Sequence, residues 1–574
     1  MIAGGSFSRV SAHSRLFRLG NIYMKMLWSR CCWGCCLGLG MVVASVGCSP
    51  GNVRVETAQP ATKRSTSAAT ELAFPAVVRH DRQALADHHA VLPVVFQQPP
   101  DNQTEESPKP EREKLFVGWK KPDLALVVTG RQAGYIEPCG CTGLENQKGG
   151  LMRRHTLVKR LRAQDTPTMA VDVGNQVRRF GRQPEIKFQR TVDALKTMKY
   201  QAVGFGPDDL KLTFNELFAA AGKLDGDSPF VCANVTLIDA EYSNQFLVVN
   251  AGDKKIGITS FLGEEHLKQV PQGEITTQDP VAAMSAVWPK LEKEKCDLYL
   301  LLAHGSLEES RAMARRFPGF NVVVTAGGAG EPTNIEERIQ GTDSIMVQTG
   351  TKGMYVGVIG VYFGQKTTYR YQRVPLDSRF DDSPEMLQLF KEYQEMLKTL
   401  GLKGLGVTPI AHPSGHQFVG SQKCQDCHEA EYEVWHDGIQ KFDDHGPHTH
   451  ATDSLVNPNQ RSEIPRHFDP ECLSCHVTGW NPQKYFPYAS GYLDLKASKH
   501  LHMNGCENCH GPGSAHVAAE EDGGDTALMT RLREQLRLTK KQAETQCMKC
   551  HDHDNSPDFH VKGAFETYWK RVEH

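Results

Sequence analysis

The chain has almost no net charge. Its 65 Lys and Arg against 67 Asp and Glu leave −2 at neutral pH. That excludes a nucleic-acid binder that works by neutralising many phosphates, because such a surface must be strongly basic. Beyond the N-terminal segment there is no uninterrupted apolar run near the ~18 residues of a spanning helix. Acidic residues are missing from residues 1–30 altogether. One hydrophobic core rarely serves more than about 250–300 residues. A chain of 574 residues therefore divides into at least two domains.

The acid-free start carries Arg9, Arg15, Arg18, Lys25 and Arg30, followed by the apolar, small-residue stretch CCWGCCLGLGMVVASVG. A basic region, an apolar region and a small-residue end make an export signal over 1–47. The basic region is long, so a start at Met24 or Met26 is the alternative. Ser45-Val46-Gly47-Cys48 resembles a bacterial lipobox, with Ser45 where Leu is usual. The resemblance implies lipidation at Cys48 and a membrane-associated, periplasmic or cell-envelope protein. A cleaved soluble protein or an uncleaved anchor are the other outcomes. Residues 48–115 are rich in Pro, Ser, Thr, Gln and charge without periodicity. They read as a disordered Pro-rich tether.

From Leu124 the chain alternates. LALVVTG, TMAVDVG, QAVGFG, FVCANVTL, KKIGITSFL, CDLYLLLAH, NVVVTAGG, SIMVQTG and YVGVIGVYFG are strand-like. GGLMRRHTLVKRLRA, PEIKFQRTVDALKTMK, DPVAAMSAVWPKLEKEK and SLEESRAMARRF read as helices between them. This alternation predicts a layered α/β domain over 116–380. A connecting helix and linker over 381–415 follow.

TGRQAGYIEP, GGLMRRHTLVKRLR, VDVGNQV, YQAVGFGPDDL, CANVT, LLLAHGS and VVVTAGGAG, in that order, resemble the landmark segments of the metallophosphoesterase domain of 5'-nucleotidases. The resemblance implies a β-sandwich flanked by helices. That family binds two metals through Asp, His and Asn at strand ends. Here those positions fall on Arg131, Ala133, Asn175, Pro207, Asp208, Gly328 and Gly330, and only His304 matches a ligand. A two-metal hydrolase needs several anionic or imidazole ligands around a close ion pair. Phosphoesterase activity is therefore not expected, and the domain reads as degenerate. Cys139 and Cys141 sit beside the lost site. They suit a soft metal or thiol exchange. The plainer reading pairs one of them with Cys232 or Cys296, or leaves thiols.

Cysteine and histidine gather at the other end. Of 17 Cys and 24 His, 8 Cys and 17 His lie between His412 and His574. Four pentapeptides share one pattern. They are Cys424-Gln-Asp-Cys427-His428, Cys472-Leu-Ser-Cys475-His476, Cys506-Glu-Asn-Cys509-His510 and Cys547-Met-Lys-Cys550-His551. Cys-x-x-Cys-His is the attachment signature of c-type haem. Its two thiols reach one edge of the porphyrin, and its His is aimed at the iron. Zinc is the alternative. Histidine in all four fifth positions, behind an export signal, argues against it.

These motifs and their surroundings (FVGSQKCQDCHEAEYEVW, HTHATDSL, PECLSCHVTGW, GCENCHGPGSAHV) resemble the tetrahaem cytochromes c that accept electrons from hydroxylamine oxidation in nitrifiers. The resemblance spans 416–574. It implies a mainly α and irregular multihaem domain with four covalent haems c, and mostly two His on each iron. His428, His476, His510 and His551 would be the proximal ligands. Matching the family's distal positions gives His448, His516 and His574, with His450 a competitor of His448. His467, His500, His502, His553 and His560 are then spare. Three distal His for four irons leaves room for one five-coordinate haem. The expected function is electron transfer with redox partner proteins in the periplasm or at the membrane. The alternatives are a redox enzyme acting on a small nitrogen or sulfur compound at an open haem and, less favoured, a metal-dependent phosphoesterase.

Overall fold

Among the described residues, eleven strands in two large sheets and five main helices build the body of the central part. In chain order the strands are β1 (Leu124–Thr129), β2 (Thr168–Asp172), β3 (Tyr200–Val203), β4 (Leu247–Ala251), β5 (Lys254–Leu262), β6 (Leu298–His304), β7 (Val322–Thr325), β8 (Glu337–Arg338), β9 (Ile345–Gln348), β10 (Tyr355–Tyr362) and β11 (Thr368–Pro375). The main helices are α1 (Leu151–Arg162), α2 (Arg182–Thr197), α3 (Pro280–Glu292), α4 (Leu307–Arg316) and α5 (Pro384–Gly404). They come from a computed structural model that describes residues 113–138, 147–223, 228–436, 448–458, 463–553 and 555–574. The export signal, Cys48, most of the tether, Cys139 and Cys141 lie outside the described residues.

The strands form two sheets, ordered β11-β10-β1-β2-β3 and β8-β9-β7-β6-β5-β4. Alternation along each strand explains the layering, because successive side chains point to opposite faces. Leu124, Leu126 and Val128 of β1 meet Ile256, Ile258, Leu298 and Leu300 of the second sheet in a core between the sheets. Val127 faces outward, into a core shared with α1, α2 and α5. On the outer face of the second sheet, Leu301 and Val323 pack on Met284, Val287 and Met313 of α3 and α4. The result is four layers, helix–sheet–sheet–helix, as the alternation predicts.

Local chemistry sets the helix starts. Ser306 Oγ accepts from Glu309 N at 3.1 Å while Glu309 Oε2 accepts from Ser306 N at 2.8 Å. This reciprocal cap satisfies two amides that a helix start leaves open. Asp279 caps α3 through Ala282 N, with Pro280 at the first helical position. Two expectations meet a different arrangement. FVCANVTL forms only the short strand Val235–Leu237 plus isolated bridges at Phe230 and Val231. The helix expected as a connector, α5, buries Met386, Phe390, Tyr393 and Leu397 against α1 and α2. Its apolar stripe makes it part of the α/β core.

The C-terminal part is built differently. Short helices and turns surround one small apolar cluster, centred on Phe418, Leu473, Val477, Trp480, Tyr492 and Leu501. So few buried residues make a small protein core for about 160 residues. Among the described residues, no helix is long and apolar enough to cross a membrane.

Candidate functional site

Each Cys-x-x-Cys-His pentapeptide lies on a short helix or its end. The helices are α6 (Ser421–Gln425), α7 (Pro470–His476), α8 (Cys506–His510) and α9 (Lys540–Cys547). His428 N donates to Cys424 O at 2.9 Å and His551 N to Cys547 O at 2.8 Å. Helical winding therefore puts both thiols and the imidazole, three and four residues on, along one face.

The imidazoles are oriented by their second nitrogens. Nδ1 of His476 donates to Ala451 O at 2.8 Å, and Nδ1 of His510 donates to Leu536 O at 2.8 Å. Nδ1 of His551 lies 3.1 Å from Ser556 Oγ. A proton held on Nδ1 leaves Nε2 free to ligate. Beside His428 stands the Glu431 carboxylate, at 3.9 Å.

Three of these rings face a second imidazole. His428 and His516 have ring centres 6.2 Å apart, His448 and His551 6.2 Å, and His510 and His574 5.7 Å. Two imidazoles sharing one iron through bonds of about 2 Å have ring centres about 6 Å apart. His450 is exposed. Of the other spare residues, His467 packs on Phe468, His500 is exposed, His502 contacts Leu495 O, and His553 stacks on His560 at 3.6 Å. Among the described residues no second imidazole faces His476. A cavity of about 410 Å³ is lined by Cys509, His510, Cys547, Cys550, His551 and His448 among others. The thiol pairs, the Nδ1-protonated imidazoles and this cavity fit covalently held haem.

The motifs do not pack in the order one–two–three–four. The Cys424 and Cys506 thiols lie near enough to perturb each other's ionisation, and so do Cys475 and Cys550. The charge of Cys547 is felt at Cys509. Motif one thus adjoins three, three adjoins four, and four adjoins two. Gly505 permits the first approach, since a Cβ there would lie 2.4 Å from Ser421 Oγ. Glu507, inside motif three, accepts from Val419 N, Gly420 N and Gly513 N at 3.0, 2.7 and 2.8 Å. Burial pushes its carboxyl upward.

Motif two is held by the α/β part. Asp469, which caps α7, accepts from Gln183 Nε2 at 2.8 Å and Gln394 Nε2 at 3.0 Å. Glu471 pairs with Arg179 at 3.0 Å and Lys187 at 2.5 Å. Arg466 pairs with Glu137 at 2.8 Å. None of these residues stood out in the sequence. The only signal was an excess of polar side chains near a motif, which any solvated loop also has.

The strand-end site of the α/β part holds no group of three or more metal-ligating side chains among the described residues. Arg131 Nη1 donates to Ala326 O and Gly328 O, each at 3.2 Å. It thereby ties together two loops on which the 5'-nucleotidase family carries metal ligands. Asp208 is taken by Lys211 at 2.9 Å and Asn175 Nδ2 at 3.1 Å. His304 is buried, its Nδ1 donates to Val173 O at 2.9 Å, and burial pushes its pKa down to about 4. Arg131, Ala133 and Asn175 keep left-handed backbones, with φ of 52°, 54° and 66°. Such turns are uncommon outside glycine, so these loops hold a shape without the ligands. Cys232 and Cys296 are free thiols.

Residues 423–511 match the family model described as cytochrome c554 and c-prime. The chain is 27% identical to cytochrome c-554 of Nitrosomonas europaea over 172 residues, covering 27% of this chain and 67% of that one. It is 22% identical to an apyrase of Aedes albopictus over 255 residues, covering 39% of this chain and 45% of that one. The chain thus spans less than half the length of that apyrase. A 5'-nucleotidase precursor from Thermus thermophilus aligns with a TM-score of 0.41 at 19% identity, over 48% of this chain and 59% of that one. The chain joins a region similar to 5'-nucleotidases to a region similar to cytochrome c554.

Proposed function

We propose that this chain is an exported c-type cytochrome that carries electrons through four covalently attached haems. The observation that carries the reading is the set of three facing imidazole pairs, each joining a motif His to one remote in sequence. In this reading the eight motif thiols hold the haems, and His428, His476, His510 and His551 are proximal ligands. His516, His448 and His574 stand opposite His428, His551 and His510. Bound haem supplies one-electron redox chemistry. The chain's own part is to fix the imidazoles, exclude water and set the order one–three–four–two. Redox partners would meet it in the periplasm or at the membrane, where Cys48 would carry a lipid. Haem quantification and intact mass on protein matured with a haem-attachment system test this. Four haems per chain are expected; fewer than three, or bound zinc, would sink it.

A second reading is favoured by His476, which faces no other imidazole among the described residues. The iron at motif two would then be five-coordinate and open to a small molecule. Carbon monoxide added to the reduced protein should shift the Soret band by the share of one haem. An unchanged spectrum would make the protein a relay only.

Phosphoester hydrolysis is not part of the proposal. Arg131 puts a cation where the 5'-nucleotidase family places a metal ligand, and Asp208 is already neutralised. No phosphate release from nucleotides is expected with manganese, cobalt or zinc.

A further inference from the structure

The imidazoles assigned to iron one come from separate segments. His428 follows α6, and His516 lies on the helix Ser514–Asp522. The stretches that lead into these two helices are bonded to each other. Gln417 N donates to Ser514 Oγ at 2.8 Å, and Ser514 N donates to Gln417 O at 3.1 Å. Glu507 bridges the same two stretches. Its carboxylate accepts from Val419 N and Gly420 N on one side, at 3.0 and 2.7 Å, and from Gly513 N on the other, at 2.8 Å. Glu507 is only 3% exposed. Yet it belongs to motif three, between Cys506 and Cys509.

The His516 ring has little else among the described residues to orient it. Nδ1 of His476 and of His510 each donates to a backbone carbonyl, whereas Nδ1 of His516 makes no hydrogen bond. The Glu520 carboxylate, 3.6 Å away, is taken by Arg533 at 2.5 Å. The ring therefore goes where its helix goes. Lys423 and Glu521 also join α6 to that helix, at 2.7 Å. Both side chains are exposed, and exposed pairs contribute little. Buried amides bonded to a carboxylate contribute more, because no water replaces the acceptor once the stretches are packed.

We infer that Glu507 is the positioning residue for iron one: from within motif three it holds His516 against His428 and keeps that iron six-coordinate. The inference rests on the four-haem reading above. Withdrawing His516 from the iron pulls Gly513 N away from the Glu507 carboxylate. In Glu507→Gln one oxygen faces three amides, so withdrawal no longer costs a charged hydrogen bond. The carbon monoxide affinity of reduced iron one should therefore rise about tenfold, the equivalent of one such bond. Ser514→Ala touches no motif and removes one neutral bond, so about threefold is expected. Both variants are titrated against the parent at equal haem content, read at the Soret band. His516→Gly assigns the signal. Adding Glu507→Gln to it should bring no further carbon monoxide uptake, because the ligand being held is already gone. A Glu507 that only stabilised the fold would lower the melting temperature and leave carbon monoxide affinity unchanged. Parent-like affinity in Glu507→Gln, or uptake that adds to that of His516→Gly, overturns the inference. Should Glu507→Gln fail to take up four haems, parent-like affinity in Ser514→Ala overturns it. A parent with fewer than three haems would instead sink the reading on which it rests.

Discussion

His304 shows how burial sets the charge of a side chain. It is the one position where this chain retains a ligand of the 5'-nucleotidase family, yet burial holds it neutral with a pKa near 4. The unfolded chain has the higher pKa, about 6.5. It therefore binds more protons between pH 6.5 and 4, and folding stability falls as pH drops through that window. From pH 7.5 to 5 this one group should cost the α/β part about 2 kcal/mol. Denaturant unfolding of His304→Gln should lack that share of the pH dependence. At the other site, His516→Gly should open the iron at motif one. Carbon monoxide binding should rise by one haem, and added imidazole should reverse it. The motif His residues were legible because spacing alone marks them. The partners were not, since His516, His448 and His574 lie 88, 103 and 64 residues from the rings they face. Only the resemblance pointed to those three, and it did not pair them.

Secondary structure was legible wherever one face is buried. The runs around β1, β2, β5, β6 and β10 are dominated by β-branched and aliphatic residues because helices or a second sheet cover both sides. β4 was missed, its residues being half-buried or exposed and its pattern weak. The clamp on α7 was hidden for a different reason. Gln183, Gln394 and Asp469 are ordinary surface residues until packing desolvates them. Asp469→Ala removes a helix cap and leaves two buried amides short of an acceptor, which should cost about 2–4 kcal/mol. Thermal unfolding followed at the haem bands should show motif two loosening first. An unchanged transition would mean that the α/β part does not position α7.

The two halves are stabilised by different means. The α/β part has large cores on both faces of its sheets, whereas the C-terminal part has one small cluster. A chain made without haem attachment should therefore keep a protease-resistant α/β body and lose most of the region after residue 405. Limited proteolysis with mass mapping checks this. Equal protection of both halves would show that the cytochrome region folds on protein contacts alone.

The interlaced motif order bears on how such a region is gained or lost. Cys424 lies near Cys506 and Cys475 near Cys550, so each early motif has its neighbour late in the chain. A chain shortened after motif two would keep two motifs and leave both without those companions. Nor could motifs be appended one by one with each step working. The region has to be inherited, moved or discarded as a single block.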